Sequence, residues 1–104
     1  MNYDQTLELL KNFRDQRGWA KFHNLKDLAI SVNLEASEIL EIFQWQPADQ
    51  SLSPEERKHL QDEMADTMIY LIYMFDKLDV DPGQAIREKV EYNHSRKWPK
   101  IDQK

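Results

Sequence analysis

The sequence predicts an all-α protein built as an antiparallel bundle of four helices. Apolar residues recur every three or four positions through most of the chain, which is the spacing of one helix face. Two glycines and four prolines divide the 104 residues into helix-length blocks. No stretch of useful length shows the alternation of apolar and polar residues that a half-buried strand requires. The length predicts a single domain over residues 1–104.

The first two helices are predicted over Asp4 to Arg17 and from Asn24 to Gln44 or Trp45. Gly18 is suited to end the first helix, because glycine commonly follows a helix C-terminus. Asn24 is a good N-cap for the second helix, and Pro47 closes it. The mixed aromatic and polar stretch between the two helices is predicted to be a loop.

The third and fourth helices have clear start signals. Ser53 is placed as an N-cap, with proline at the first helical position and Glu56 at the third, which is the pattern of a capping box. This helix is predicted to run to about Lys77. Asp81 followed by proline predicts the start of the fourth helix, which ends at about Arg96.

The composition excludes several classes of protein. The formal net charge is −5, whereas a general nucleic-acid or anionic-membrane binder would carry a basic surface. Without cysteine, disulfide scaffolds, cysteine zinc sites and thiol nucleophiles are excluded. The N-terminus lacks the apolar run of a signal peptide, and no window approaches the roughly 18 apolar residues of a membrane span. We therefore expect a cytoplasmic protein, and small domains of this kind often gain stability by oligomerising.

Four carboxylates fall on the apolar sides of the second and third predicted helices. At about 100° per residue, Glu35 lies inside an apolar arc roughly 120° wide and Glu38 lies at its edge. Glu63 and Asp66 take the same two places on the next helix. Because residues three apart share a helix face, each helix presents a pair of carboxylates toward the predicted core.

This placement favours a metal site. Converging carboxylates repel one another unless a cation lies between them, and a carboxylate on a core side is costly by itself. Mg²⁺ prefers such oxygen ligands and usually keeps some waters or phosphate oxygens. Acidic residues number 19 of 104, so the alternative is that these are solvated acids on helix surfaces. The matching phase on two helices favours the metal, and no basic residue occupies either arc to form a buried ion pair.

The four acids and their flanks resemble a known family. Glu35-Ala36-Ser37-Glu38 followed by Glu63-Met64-Ala65-Asp66 resembles the E-x-x-E … E-x-x-D signature of the all-α NTP pyrophosphohydrolases, in particular the MazG-like group and the dCTP pyrophosphatases. The resemblance extends through the flanking segments, from about Trp19 to Pro99, which include Phe22-His23-Asn24-Leu25, Glu41 to Trp45, Asp66 to Leu71, and Lys89 to Pro99.

The resemblance implies a four-helix core that pairs into homodimers or homotetramers. It also implies hydrolysis of a nucleoside triphosphate, preferably a deoxynucleotide, to the monophosphate and pyrophosphate, as housecleaning of the nucleotide pool. Mg²⁺, or Mn²⁺ in its place, would be bound by Glu35, Glu38, Glu63 and Asp66. Either Glu38 or Glu41 would accept the proton of the attacking water. Candidates for phosphate contacts are Lys21, His23, Asn93, Arg96 and Lys97, and candidates for base or sugar contacts are Trp45 and Tyr70.

Two departures from the family pattern leave the base preference open. Ser37 stands where many dCTP-type members have glycine, and Trp98 stands where tyrosine is common. Two other functions compete with the hydrolase. One is a helical module that binds nucleotides, or another partner, without turnover. The other is a di-iron bundle, since Glu56-x-x-His59 and Glu91-x-x-His94 fit its Glu-x-x-His unit.

Overall fold

The computed structural model describes residues 1–96 and confirms the all-helical prediction. Its helices are α1 (Tyr3–Gln16), α2 (Leu25–Phe43), α3 (Pro54–Leu78) and α4 (Pro82–Ser95). A short 3₁₀ turn, Ala20–Phe22, lies where the sequence predicted a loop. Over residues 1–96 the structure contains no strand.

The predicted start signals act as caps. The Asn24 side chain accepts a hydrogen bond from the Asp27 amide at 2.8 Å. Ser53 and Glu56 form both bonds of the capping box, at 3.1 and 2.8 Å. In α4, the N-cap Asp81 accepts from an amide of the first turn. Helix α1 begins one residue earlier than predicted, because the side chain of Asn2 also acts as an N-cap.

Helices α2 and α3 form the centre of the fold. They run antiparallel: Gln46 donates to Glu56 near the connecting loop, and Glu35 approaches Glu63, which lies about two turns further along α3. Helix α1 packs on α3, and its attachment is a hydrogen bond from the Tyr73 hydroxyl to the Leu10 carbonyl oxygen at 2.8 Å. The fully buried core is small and consists of Leu10, Leu28, Ile72 and Tyr73.

Many large apolar side chains remain uncovered in the single chain. Leu40 on α2 is 67% exposed, and Met64 and Met68 on α3 are about half exposed. On α4, Ile86 and Val90 are each 60% exposed, so the apolar stripe of this helix has little cover from its own chain. So many exposed large apolar side chains in one chain are more typical of a protein interface than of free surface.

Within residues 1–96, none of the helices combines the length and the apolar character that crossing a membrane requires.

Candidate metal centre and adjoining cavity

Three of the four predicted carboxylates meet between α2 and α3. Glu35, Glu63 and Asp66 each offer one oxygen atom, and these three atoms lie within 4.8 Å of one another. Each helix contributes because its acidic residues follow the phase of its apolar residues. The antiparallel packing then brings the two helices together at the level of the acids.

The inner carboxylates are short of hydrogen-bond partners. Glu35 Oε2 and Glu63 Oε2 are buried, and neither has a partner within the described part of the chain. Only one basic group approaches them there: His59 Nε2 lies 3.4 Å from Glu63 Oε1, and the His59 side chain is mostly exposed. Buried oxygens without partners are expensive, and a bound cation would satisfy them.

The pKa values of both inner carboxyls reflect this crowding. Burial, followed by the negative charge of Glu38, raises the pKa of Glu35 to about 7. A hydrogen bond with Glu38 and burial raise the pKa of Glu63 above its ordinary value. Divalent cation binding requires ionised ligands, so it would return both groups to the carboxylate form.

The second acid of the first pair lies slightly apart. Glu38 is exposed and is not one of the three grouped ligands, but it is close enough to share hydrogen bonds with Glu35 and Glu63 when one carboxyl is protonated. Glu41 lies one turn further along α2 and is also exposed. Its phase differs from that of Glu35 by about 120°, which directs it away from the acidic group.

A cavity of about 430 Å³ adjoins the carboxylates. Glu35 and Asp66 form part of its lining, and the remaining residues are mostly apolar or aromatic: Leu9, Leu10, Phe13, Trp19, His23, Ile69, Tyr70 and Tyr73. Ligand sites commonly combine an apolar lining with a few polar groups that fix orientation. This cavity has that character, and the acidic group lies at its edge.

The end of helix α1 builds the aromatic wall of the cavity. The helix ends in a Schellman motif, in which the Gly18 amide donates to Asp15 and the Trp19 amide donates to Arg14, each at 3.1 Å. Gly18 has a φ of +66°, in the left-handed region that glycine adopts without a steric penalty. The turn brings Trp19 back against Phe13, with ring centroids 5.5 Å apart in an edge-to-face arrangement.

His23 lies at the floor of the cavity. Its ring centroid is 4.6 Å from that of Tyr73, and its buried Nδ1 atom has no hydrogen-bond partner among the described residues. Burial lowers the pKa of His23, and the positive charges of Arg14 and Lys77 lower it further. The lowered pKa favours the neutral imidazole, which suits a hydrogen bond to a base or sugar better than an ion pair with phosphate.

The structure brings only some of the other predicted substrate residues to this cavity. Tyr70 lines it. Lys21 lies in the 3₁₀ turn with its ammonium group 5.1 Å from the ring of Phe22, and Trp45 is 88% exposed beyond the end of α2. Asn93 is on α4 and Arg96 caps its end, and neither lines the cavity. Lys97 lies outside the described residues.

Sequence reasoning missed the aromatic wall. Phe13 and Trp19 belong to the lining but were not among the predicted site residues. The signal was present, because an apolar residue before the end of a helix and another just after a C-terminal glycine commonly touch. Leu9, Ile69 and Tyr73 carried no comparable local signal, since their position at the cavity depends on the packing of α1 against α3.

The groups required for a di-iron centre do not assemble. The Glu56 carboxylate is occupied by Ser53 and Gln46. The only His, Asp or Glu group of metal-binding geometry over residues 1–96 is the one that contains Glu35, and it includes no histidine.

Comparison with known proteins supports the predicted family. Residues 30–104 match the model of the MazG-like family. The chain is 35% identical over 88 residues to dCTP pyrophosphatase 1 of Mus musculus and 36% identical to that of Bos taurus, covering 81% of this chain and 52% of each relative. It thus spans about half the length of the curated relatives it matches. The crystal structure of a pyrophosphatase from Archaeoglobus fulgidus is similar, with a TM-score of 0.76, 36% identity and 89% of each chain covered.

Proposed function

The chain belongs to the MazG-like family, and on that basis we propose that it hydrolyses a nucleoside triphosphate to the monophosphate and pyrophosphate. The relatives named as dCTP pyrophosphatases and the similar pyrophosphatase structure support this activity. The single observation that carries the proposal is the group of three carboxylates beside an aromatic cavity. The proposed role is removal of unwanted triphosphates from the nucleotide pool.

Glu35, Glu63 and Asp66 are proposed to hold Mg²⁺, with Glu38 completing the acidic set. The support is chemical: the donors are all hard carboxylate oxygens, and two of them are buried without hydrogen-bond partners in the described residues. When bound, the cation would neutralise phosphate charge and lower the pKa of a bound water. Mn²⁺ accepts similar oxygen ligands and would substitute for it.

In the proposed reaction, the water oxygen forms a bond to the α-phosphorus. The bond from that phosphorus to the bridging oxygen of the β-phosphate breaks, so pyrophosphate leaves. A carboxylate takes the proton that the water loses. We favour Glu38 over Glu41 for this step, because Glu38 is exposed yet interacts with both inner carboxyls, whereas Glu41 lies outside the group.

The nucleoside is proposed to enter the adjoining cavity. Phe13, Trp19 and Tyr70 offer ring faces and edges on which a base can pack, and His23 offers the unpartnered Nδ1 atom for a hydrogen bond. A deoxynucleoside triphosphate is the proposed substrate class, and dCTP is the first compound to test because of the names of the relatives. Lys21, Trp45, Asn93, Arg96 and Lys97 remain proposed contacts for the substrate outside the cavity.

We also propose a homodimer or homotetramer. The exposed apolar residues of α2, α3 and α4 support it, because a single chain leaves them in water. Neither Trp45 nor Arg96 lines the cavity of its own chain, and in the proposed oligomer each would approach the cavity of a second copy.

The activity is tested by incubating the full chain with each of the eight common NTPs and dNTPs and measuring pyrophosphate. We expect release with Mg²⁺ or Mn²⁺ and none after chelation by EDTA. Binding of nucleotides without pyrophosphate release would favour the non-catalytic alternative instead.

A matched pair of variants links the activity to the site. Glu63→Gln removes one proposed ligand and should abolish release. Asp62→Asn changes the neighbouring residue, which is exposed and paired with Lys58 at 2.8 Å, and should leave the rate unchanged. Equal loss in both variants would argue against the metal site.

A further inference from the structure

We propose that Arg17 is a positioning residue for the nucleoside and acts by holding Phe13 and Trp19 in place as the outer wall of the cavity. Its Cζ atom lies 3.7 Å from the centroid of the Phe13 ring and 5.6 Å from that of Trp19. Both rings line the cavity, whereas Arg17 does not. The inference rests on the proposed function, because it concerns the affinity of that site for its substrate.

The two rings need an outer support. Phe13 is 42% exposed and Trp19 is 43% exposed, and their mutual contact is a single edge-to-face approach. Trp19 follows a turn rather than lying within a regular helix, so its ring is fixed mainly by side-chain contacts. A planar guanidinium stacked over Phe13 and near Trp19 restricts both rings at once.

The backbone places Arg17 for this role. Arg17 is the C-cap of α1, and its amide donates to the Arg14 carbonyl at 3.2 Å. The motif that folds Trp19 back against Phe13 also presents the Arg17 side chain to both rings. The three side chains therefore form one unit, and its inner side faces the cavity.

Removing Arg17 should therefore weaken the binding of ligands that carry a base. Losing a cation–π contact at an exposed site corresponds to a change of about two- to fivefold in an equilibrium constant. Arg17→Ala should raise KM for the preferred triphosphate by about that factor and leave kcat unchanged. Arg17→Lys, which keeps the charge but loses the planar group, should give an intermediate KM.

Two alternative roles predict different results. Inorganic tripolyphosphate has phosphates but no base. If Arg17 contacted phosphate, Arg17→Ala would raise the inhibition constant of tripolyphosphate by the same factor as the KM of the substrate. If Arg17 served only as a charge at the helix C-terminus, neither KM nor the tripolyphosphate inhibition constant would change. The inference predicts a raised KM together with an unchanged inhibition constant.

Lys11→Ala is the matched control. The Lys11 ammonium lies 3.9 Å from an Asp76 carboxylate oxygen, so this variant removes a partly exposed cation from the same helix without removing a contact to either ring. Lys11 does not line the cavity. Its KM should equal that of the unsubstituted protein, and a rise equal to that of Arg17→Ala would overturn the inference.

A second measurement does not depend on turnover. In a protein with Trp45→Phe and Trp98→Phe, the remaining tryptophan emission comes from Trp19. Adding Arg17→Ala should increase quenching of that emission by acrylamide at unchanged helix content, and unchanged quenching would overturn the inference. If the unsubstituted protein released no pyrophosphate from any triphosphate, the proposed function would fail, and this measurement would still decide whether Arg17 holds the ring.

Discussion

The two sides of the α2–α3 pair are incomplete in opposite ways. On the side toward α1, Glu35 and Glu63 each bury an oxygen that has no hydrogen-bond partner in residues 1–96. On the side away from α1, Leu40 is two-thirds exposed, and Met64 and Met68 are each about half exposed. Within the described residues, one side holds buried carboxylate oxygens without hydrogen-bond partners, and the other holds apolar side chains that are largely exposed.

This contrast shows that one pair of helices can bind a cation on one side and a second protein surface on the other. Buried carboxylates are satisfied by a cation, and exposed apolar side chains are satisfied by another protein surface. The buried carboxylates and the exposed apolar side chains occupy different positions around the same two helices, so each set faces its own side of the pair. Changing one side should leave the other intact, and the following predictions test this separation.

The largest effect is expected at the carboxylates. Glu38→Gln and Asp66→Asn should each lower kcat by about 100-fold or more, because one proposed metal contact or the proton acceptor is lost. Helix content measured by circular dichroism and the mass in solution should not change. A variant that kept full activity would remove its residue from the proposed site.

The next effect is expected on the apolar side. Met68→Glu places a charge among exposed apolar residues and should reduce the mass measured by light scattering toward the 12.5 kDa of one chain. The acidic group should still bind Mg²⁺. Asn12→Glu adds the same charge on an exposed position of α1 and should leave the mass unchanged. The proposed oligomer would be contradicted if the unsubstituted protein had the mass of one chain.

A smaller effect is expected from pH in the absence of divalent cations. The pKa of Glu35 is raised from 4.5 to about 7, so the folded protein binds more protons than the unfolded chain between these values. The contribution of Glu35 to stability is therefore present below pH 4.5 and is lost as pH rises to about 7. Between these pH values, the melting temperature of Glu35→Gln should therefore fall less steeply with rising pH than that of the parent. An identical slope in the variant and the parent would refute the assignment to Glu35.

The smallest effect is expected at the turn after α1. Gly18→Ala should reduce the free energy of unfolding by about 1 kcal/mol, because alanine is strained at the φ of +66°. Chemical denaturation would measure it. At Gly83 no positive φ opposes the change, but a Cβ would lie 3.2 Å from the capping oxygen of Asp81, so Gly83→Ala should reduce stability by less than Gly18→Ala does. A larger loss at Gly83 would contradict this reasoning.

The local features of the fold were predictable from the sequence. The caps at Asn24, Ser53 and Asp81 depend on side chains within three residues, so the helix starts followed from short patterns. The meeting of Glu35 and Glu63 was also predictable, because both lie on apolar arcs that must face each other. The cap at Asn2 was missed although it is equally local.

The features that depend on packing between distant segments were not predictable. Phe13 and Tyr73 share a cavity only because α1 lies on α3, and the two residues are 60 positions apart. The exposure of Ile86 and Val90 could not be predicted either. Their helical spacing suits burial against the same chain as well as burial against a second chain. The metal assignments and the roles of the substrate residues remain predictions.

The hydrogen bond from Tyr73 to Leu10 holds α1 on α3 without using the α1 side chains Leu9 and Phe13 that line the cavity. The acceptor is a backbone carbonyl, which every amino acid carries at that position. Substitutions at Leu9 or Phe13 therefore reshape the space that a ligand meets while the tether to α3 persists. The cavity-lining side chains of α1 can therefore change, and change the ligand preference, while the hydrogen bond that attaches the helix to α3 is kept.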